Sequence, residues 1–374
     1  MKKGLNSGST LVPALEWQDK ALSFPFSVLR EAIERRAFPA ACVAVAHQGR
    51  LVALKSFGRF TYDPDSPSPT PGTLFDLASL TKVVATTTMA MILYERGLLE
   101  LDATVAGTVP EFLADSCGEA DSRRREVTFR MLLVHSSGLP AYEKLFLRAR
   151  SRDELLRAAF TTSLSADPGT RAEYSDIGFI LLGAALERIA NESLDALCER
   201  EIFGPLAMSN TTFNPPADAR EKIPPTADDR TFRHRIIQGE VQDENAFVLG
   251  GVAGHAGLFS TAEDLARFAH ALLHGGSPIL SVETIALFTR REPAPPGTTR
   301  ALGWDTLSSP SQSGKYFGPT SFGHLGYTGT SLWIDPERQL SIVLLTNRTW
   351  PDCANQTIKQ VRPKFHDAVV EALL

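Results

Sequence analysis

The chain has 374 residues, of which 43% are hydrophobic and 22% charged, the proportions of a globular protein able to bury a large core. A net charge of -5 offers no general field to a polyanion, which argues against nucleic acid as a partner. No run of about 18 apolar residues exists to span a membrane. The basic run Arg123-Arg124-Arg125 has Asp121 and Glu126 beside it and reads as a solvated loop. Cys42, Cys117, Cys198 and Cys353 are far apart and form no C-x-x-C pair, so reduced, buried thiols are expected rather than a disulfide framework. Met1-Lys2-Lys3 is followed by polar residues instead of an apolar signal core, so a cytoplasmic location is expected.

Taken in chain order, residues 1–20 read as a flexible polar tail. Phe26, Leu29 and Ile33 fall at helical spacing over 24–36. Cys42–Ala46 and Leu51–Leu54 flank His47-Gln48-Gly49-Arg50, a hairpin with Gly49 in its turn. Residues 61–72 are a Pro/Asp/Ser loop. From Ser79 to Gly97 the pattern is helical, and helical periods dominate from 100 to 215. A β-rich region is expected near 248, followed by a capping box at Ser260–Asp264 before the helix Leu265–Leu273. Ser331–Ile334 and Ser341–Leu345 form a late hairpin, and a helix over about 355–374 ends the chain. This order predicts an α+β protein. An antiparallel sheet of about five strands is built from both ends of the chain and flanked by the terminal helices. The sheet domain would take residues 21–70 and 231–374, and an inserted, mostly helical domain 71–230, with the active site at their junction.

Three segments carry chemistry. Ser79-Leu80-Thr81-Lys82 places a hydroxyl and an amine one helical turn apart. Such a Ser sits among the free N–H groups of a helix start, and a desolvated Lys can take its proton. Tyr174-Ser175-Asp176 lies on a loop entering an apolar helix. A cation beside this Tyr would stabilise its phenolate as a general base. Ser321–Ile334, beginning Phe322-Gly323-His324-Leu325-Gly326-Tyr327, is a Gly-rich strand of the kind that approaches a ligand closely and can offer a main-chain N–H to an oxyanion. Read structurally, these are an N-cap Ser with a surface Lys, a half-buried loop Tyr, and a β-bulge.

Ser79–x–x–Lys82, Tyr174–x–Asp176 and His324–x–Gly326 follow one another at separations of 95 and 150 residues. In order and spacing they resemble the three signatures of the class C β-lactamase and DD-peptidase superfamily, a β-lactamase/transpeptidase-like fold. Flanking stretches agree, among them Val127–Pro140, Gly257–Ala266, Leu302-Gly303-Trp304 and Ile334-Asp335-Pro336, and the resemblance runs from about residue 25 to 372. It implies that Ser79 is the acylated nucleophile, Lys82 its proton-transfer partner, and Tyr174 the base that also activates the deacylating water. It further implies an oxyanion hole from the N–H groups of Ser79 and Tyr327. His324 would stand where many β-lactamases carry a Lys that contacts a substrate carboxylate.

Two departures bear on substrate. Asp176 replaces the usual Asn and accepts only; it should pair with Lys82, raise the amine's pKa and leave Tyr174 as the base. His324 is largely neutral near pH 7, a weaker clamp for a carboxylate than Lys. Both argue for a hydrolase of esters or D-amino-acid-containing peptides over a true β-lactamase, while the intact Ser79, Lys82 and Tyr174 speak against a catalytically silent penicillin-fold module. The stretch Gly239–Gly257 resembles a cell-envelope DD-carboxypeptidase-like subgroup and offers Glu244, Asn245 and His255 as cleft-lining candidates. No cofactor or metal is implied: H-E-x-x-H, paired Cys/His spacing, a Walker loop and G-x-S-x-G are all missing. The expected partner is a small molecule or short peptide, and oligomeric state is not legible.

Overall fold

The computed structural model describes residues 10–114 and 121–374. Cys117 and the first part of the expected tail lie outside the described residues. Ala40–His47 and Arg50–Gly58 pair antiparallel through Gln48-Gly49, whose φ values of 49° and 77° provide the left-handed pair that a two-residue hairpin turn requires. Ser331–Asp335 and Leu340–Thr346 form the late hairpin, and Leu340–Thr346 pairs antiparallel with Ala40–His47. The two ends of the chain therefore share one sheet. Phe322–Leu325 and Asp305–Thr306 extend it on one side, and Val12–Pro13 joins Arg50–Leu51 in parallel on the other. The sheet has seven strands. The two at its edges span two residues each, too short for a period to register in sequence. Part of the expected tail is thus an edge strand followed by the helix Gln18–Ala21, because the outer strand leaves N–H and C=O groups that need partners.

Side chains alternate across the sheet as period 2 dictates. Ala41, Val43, Val45, Ile342 and Leu344 face the terminal helices Ser23–Glu34 and Ile358–Leu373, packing with Phe26, Leu29, Phe365 and Val369. Each large apolar side chain buried this way contributes about 1.5–3 kcal/mol. Cys42, Ala44, Val343 and Leu345 face the opposite core, shared with the helix Ala262–Leu273 and the helical region. Small residues on this face let that helix approach closely. Between the ends run helices including Thr88–Glu95, Arg152–Phe160 and Asp176–Ala190.

Near 248, where strand was expected, Glu244–Val248 is a short helix, and strand begins at Leu258. Asp243 caps that helix, its carboxylate accepting from Ala246 N–H at 2.7 Å, and Gly250 and Gly251 end it with φ above 80°. Cys42 and Cys198 are buried thiols, but Cys353 is exposed, since it lies in the loop between the last strand and last helix rather than on either. Among the described residues no helix is long and apolar enough to cross a membrane.

Candidate active site

The strand Phe75–Asp76 pairs with Leu258–Ser260, then the chain turns sharply at Ala78, whose φ is 46°. A left-handed position costs an L residue about 1–2 kcal/mol, and here Asp76 holds it, Oδ1 accepting from Ala78 N–H at 2.8 Å. The turn presents Ser79 at the start of a helix that runs as a 3₁₀ turn (Ala78–Leu80), a π-helical stretch (Lys82–Thr87) and then α-helix. Such π-helical inserts occur often at functional sites.

Lys82 is fully buried. Its Nζ lies 3.0 Å from Ser79 Oγ, 2.6 Å from Asp176 Oδ1 and 3.0 Å from the His255 carbonyl. The Tyr174 hydroxyl donates to Ser79 Oγ at 2.7 Å. Nucleophile, amine and phenol therefore meet within hydrogen-bonding reach. Burial drives the Lys82 amine below its ordinary pKa, against the upward pull of Asp176 and Asp243. Tyr174 is pushed well above the ordinary phenol value, by burial first and then by the Asp176 charge.

This reverses the anticipated order. Asp176 does pair with Lys82, but desolvation outweighs it, and the phenolate is disfavoured by burial first and then by the neighbouring carboxylate. Of the three Lys82 partners, a carboxylate and a peptide carbonyl only accept; the Ser79 hydroxyl alone can give a proton. The geometry thus suits Lys82 as acceptor of the serine proton and Tyr174 as hydrogen-bond donor to the oxygen it leaves.

Tyr174 is held from behind. His135 Nδ1 accepts from Ser175 N–H at 3.0 Å, and its ring lies 4.7 Å from that of Tyr174 and 5.0 Å from that of Phe179. Ser175 caps the helix Asp176–Ala190, its Oγ accepting from Gly178 N–H, which puts Asp176 at the first helical position facing Lys82.

The turn after Phe322–Leu325 is stitched to the nucleophile loop. Thr328 Oγ1 donates to Asp76 O at 2.8 Å and Thr330 Oγ1 to Leu77 O at 2.9 Å. Gly326 is required by this closeness: a Cβ there would stand 2.5 Å from Leu77 O and strike Thr330 Oγ1. The N–H groups of Ser79 and Tyr327 have no acceptor among the described residues, which leaves both open to an oxyanion. His324 is buried, with Nδ1 donating to Leu325 O at 2.8 Å. Burial, with Lys82 and Arg300 nearby, pushes it well below the ordinary imidazole value. That direction favours the neutral imidazole over a cationic clamp.

A cleft of about 790 Å³ opens over these groups, lined by Ser79, Tyr174, Asp176, His324, Gly326 and Tyr327. Glu244 and His255 also line it, His255 with Nε2 2.9 Å from Asp243 Oδ1. Asn245 does not. It is fully buried, its amide accepting from Phe146 N–H and donating to Glu143 O, so it fixes a loop instead of meeting substrate. Three contributors were missed in the sequence reading. His135 sat in a quoted flanking stretch, Asp243 stood one residue before a named candidate, and Arg300 lay in a loop with no motif. Among the described residues no group of three or more His, Cys, Asp and Glu could hold a metal ion.

A model of the beta-lactamase family matches residues 27–361. The chain belongs to this family. It is similar to a Bacillus subtilis (strain 168) protein named N-acetylmuramyl-L-alanine amidase, 33% identical over 344 residues, covering 83% of this chain and 77% of that protein. A putative D-alanyl-D-alanine carboxypeptidase of Escherichia coli (strain K12) is 31% identical over 344 residues, covering 83% and 79%. Among solved structures, EstCE1, described as a hydrolase with promiscuous acyltransferase activity, shares the fold with a TM-score of 0.75 at 22% identity over 94% of this chain and 99% of its own. Unliganded simvastatin synthase LovD from Aspergillus terreus does so with 0.73 at 21%, over 95% and 99%. As a member of the beta-lactamase family, this protein is an enzyme, a β-lactamase-related serine hydrolase.

Proposed function

We propose that the enzyme hydrolyses esters or peptide-type amides through an acyl-enzyme on Ser79, with D-amino-acid-containing peptides as its substrate class. The observation that carries this reading is the convergence of Lys82 Nζ and the Tyr174 hydroxyl on one serine oxygen. In the proposed reaction, Ser79 Oγ bonds to the substrate carbonyl carbon while its proton passes to Lys82. The N–H groups of Ser79 and Tyr327 receive the oxyanion, each donor lowering the barrier by about 2.7–4 kcal/mol. Tyr174 then gives its proton to the leaving nitrogen or oxygen as that bond to carbon breaks, and recovers one from Lys82. Water then attacks the acyl-enzyme carbonyl carbon, its proton moving through Tyr174 to Lys82; as the bond from that carbon to Ser79 Oγ breaks, Lys82 returns the proton to Oγ, which frees the acid product and restores the serine.

Asp176 and the neutral His324 disfavour efficient β-lactam turnover. The intact Ser79, Lys82 and Tyr174 speak against a silent binding module. The similarity to a relative named for cleaving N-acetylmuramyl-L-alanine favours adding that amide as a second bond to test. The experiment is a panel of p-nitrophenyl esters, D-Ala-D-Ala peptides, N-acetylmuramyl-L-alanine and nitrocefin, run on wild type and Ser79→Ala. We expect turnover of an ester or peptide that falls at least about 10⁴-fold in the variant, together with a fluorophosphonate adduct on Ser79. Undiminished hydrolysis by Ser79→Ala, or nitrocefin turnover at the rate of a resistance enzyme, would refute the proposal.

A further inference from the structure

The carboxylates of Asp176, Asp243, Glu244 and Asp305 line the active-site cleft. Three of them have a basic partner: Asp176 meets Lys82, Asp243 meets His255, and Asp305 forms an ion pair with Arg300. Glu244 differs. Among the described residues no Lys, Arg or His stands within ion-pair distance of its carboxylate. The cation that favours its ionised form is Arg233, whose guanidinium is committed to Asp229 and to the carbonyls of Val241 and Gln242. Lys144 and Lys359 also line the cleft, and neither comes within ion-pair distance of Glu244.

Glu244 opens the short helix Glu244–Val248. An acid in a first turn is favoured by the helix dipole, but the Asp243 carboxylate already caps this helix. The Glu244 side chain is half-buried, and burial foremost, with the Asp243 charge adding to it, pushes its carboxyl above the ordinary value. Its charge is partly withdrawn from water with no cation to offset it. Beside it stands the Tyr142 hydroxyl, a neutral donor that can orient a carboxylate and leaves its charge whole. Tyr142 is 38% exposed and lines the same cleft. A carboxylate and an aromatic ring bordering one opening form a pairing that attracts cations.

Resting on the acyl-hydrolase reading above, we propose that Glu244, with Tyr142 beside it, binds a positively charged ammonium group of the substrate. The enzyme then prefers substrates that carry such a group near the scissile bond over neutral substrates of the same shape. No bond is made or broken at Glu244, so the preference lies in binding and leaves the chemistry at Ser79 as derived above.

The test uses two pairs of substrates, each matched in shape and differing in charge, with the cation on either side of the scissile bond. p-Nitrophenyl 6-aminohexanoate and p-nitrophenyl heptanoate end the acyl chain in an ammonium or a methyl group. Acetylthiocholine and S-(3,3-dimethylbutyl) thioacetate carry a quaternary nitrogen or carbon in the leaving group. We expect wild type to prefer the cationic member of at least one pair in kcat/KM, and that pair tells which side of the bond faces Glu244. On it, Glu244→Gln should lose about 10–100-fold with the cationic member and less than about 3-fold with the neutral one, with Glu244→Asp between wild type and Glu244→Gln. The preference should persist in Lys144→Met. Melting temperature monitors folding, and the ratio of the two members within each variant is insensitive to the amount of active enzyme. Equal losses on both members would make Glu244 a support for its helix and overturn the proposal. So would a preference that survives in Glu244→Gln, no preference in wild type, or one that appears only once Lys144 is replaced. Turnover unaffected by Ser79→Ala would instead overturn the acyl-hydrolase reading itself, and wild type inert toward all four substrates would overturn the two together.

Discussion

Asp176 and Lys82 show how one carboxylate can set the working pH of a serine nucleophile. The amine is fully buried, and desolvation favours its neutral form; the carboxylate 2.6 Å away favours the charged form. Only the neutral amine can take the Ser79 proton, so activity should rise as pH climbs through the Lys82 pKa. Replacing Asp176 with Asn, the residue the family usually carries, removes an acceptor charge that stabilises the ammonium. Asp243 still pulls the amine up and Arg300 still pushes it down, so the net change is a further fall. Asp176→Asn should therefore move the acid limb of the kcat/KM profile to lower pH, by about one unit or more. A limb that stays in place or moves upward would remove Lys82 from the role of base.

At the scale of elements, the site depends on a turn that touches the nucleophile loop through two threonine hydroxyls and one glycine. Gly326→Ala has no room for its methyl group between Leu77 O and Thr330, so the turn must withdraw. The Tyr327 N–H would move with it. We expect kcat to fall about 10²–10³-fold, the loss of one oxyanion donor, with stability lower by about 1–3 kcal/mol from local overpacking. Steady-state kinetics and urea unfolding check both parts, and near-wild-type kcat would show that Tyr327 N–H does no electrostatic work. The same contacts explain what was legible beforehand. Period-2 runs marked both hairpins, and three ordered motifs marked Ser79, Lys82 and Tyr174, because each is a local pattern. Arg300 was invisible because its meaning comes from register: Asp305 opposite Gly323 brings the cation beside a histidine 24 positions away in sequence. Asn245 misled for the converse reason, since a buried loop amide and a cleft-facing one look alike until their partners are known.

Across the whole molecule, Asp76 ties the nucleophile turn to a segment 166 residues away: Oδ1 accepts from Ala78 N–H at 2.8 Å and Oδ2 from Gln242 N–H at 2.7 Å. Burial pushes its carboxyl up to about 6, with the two N–H groups pulling it back and Asp243 adding to the rise. An acid whose folded pKa exceeds its unfolded value binds more protons in the folded state. Its contribution to stability is therefore largest below the unfolded value of 3.8 and declines as pH rises to about 6. Asp76→Asn removes this titration and also one acceptor, so the variant should be less stable than wild type by about 1–3 kcal/mol near pH 4.5, with the gap diminishing toward pH 7. Taken over the full window, the titration is worth on the order of 3 kcal/mol. Urea unfolding of both proteins at the two pH values measures the gap. A gap that widens with rising pH would mean that the carboxylate, rather than the protonated acid, is what this junction holds best.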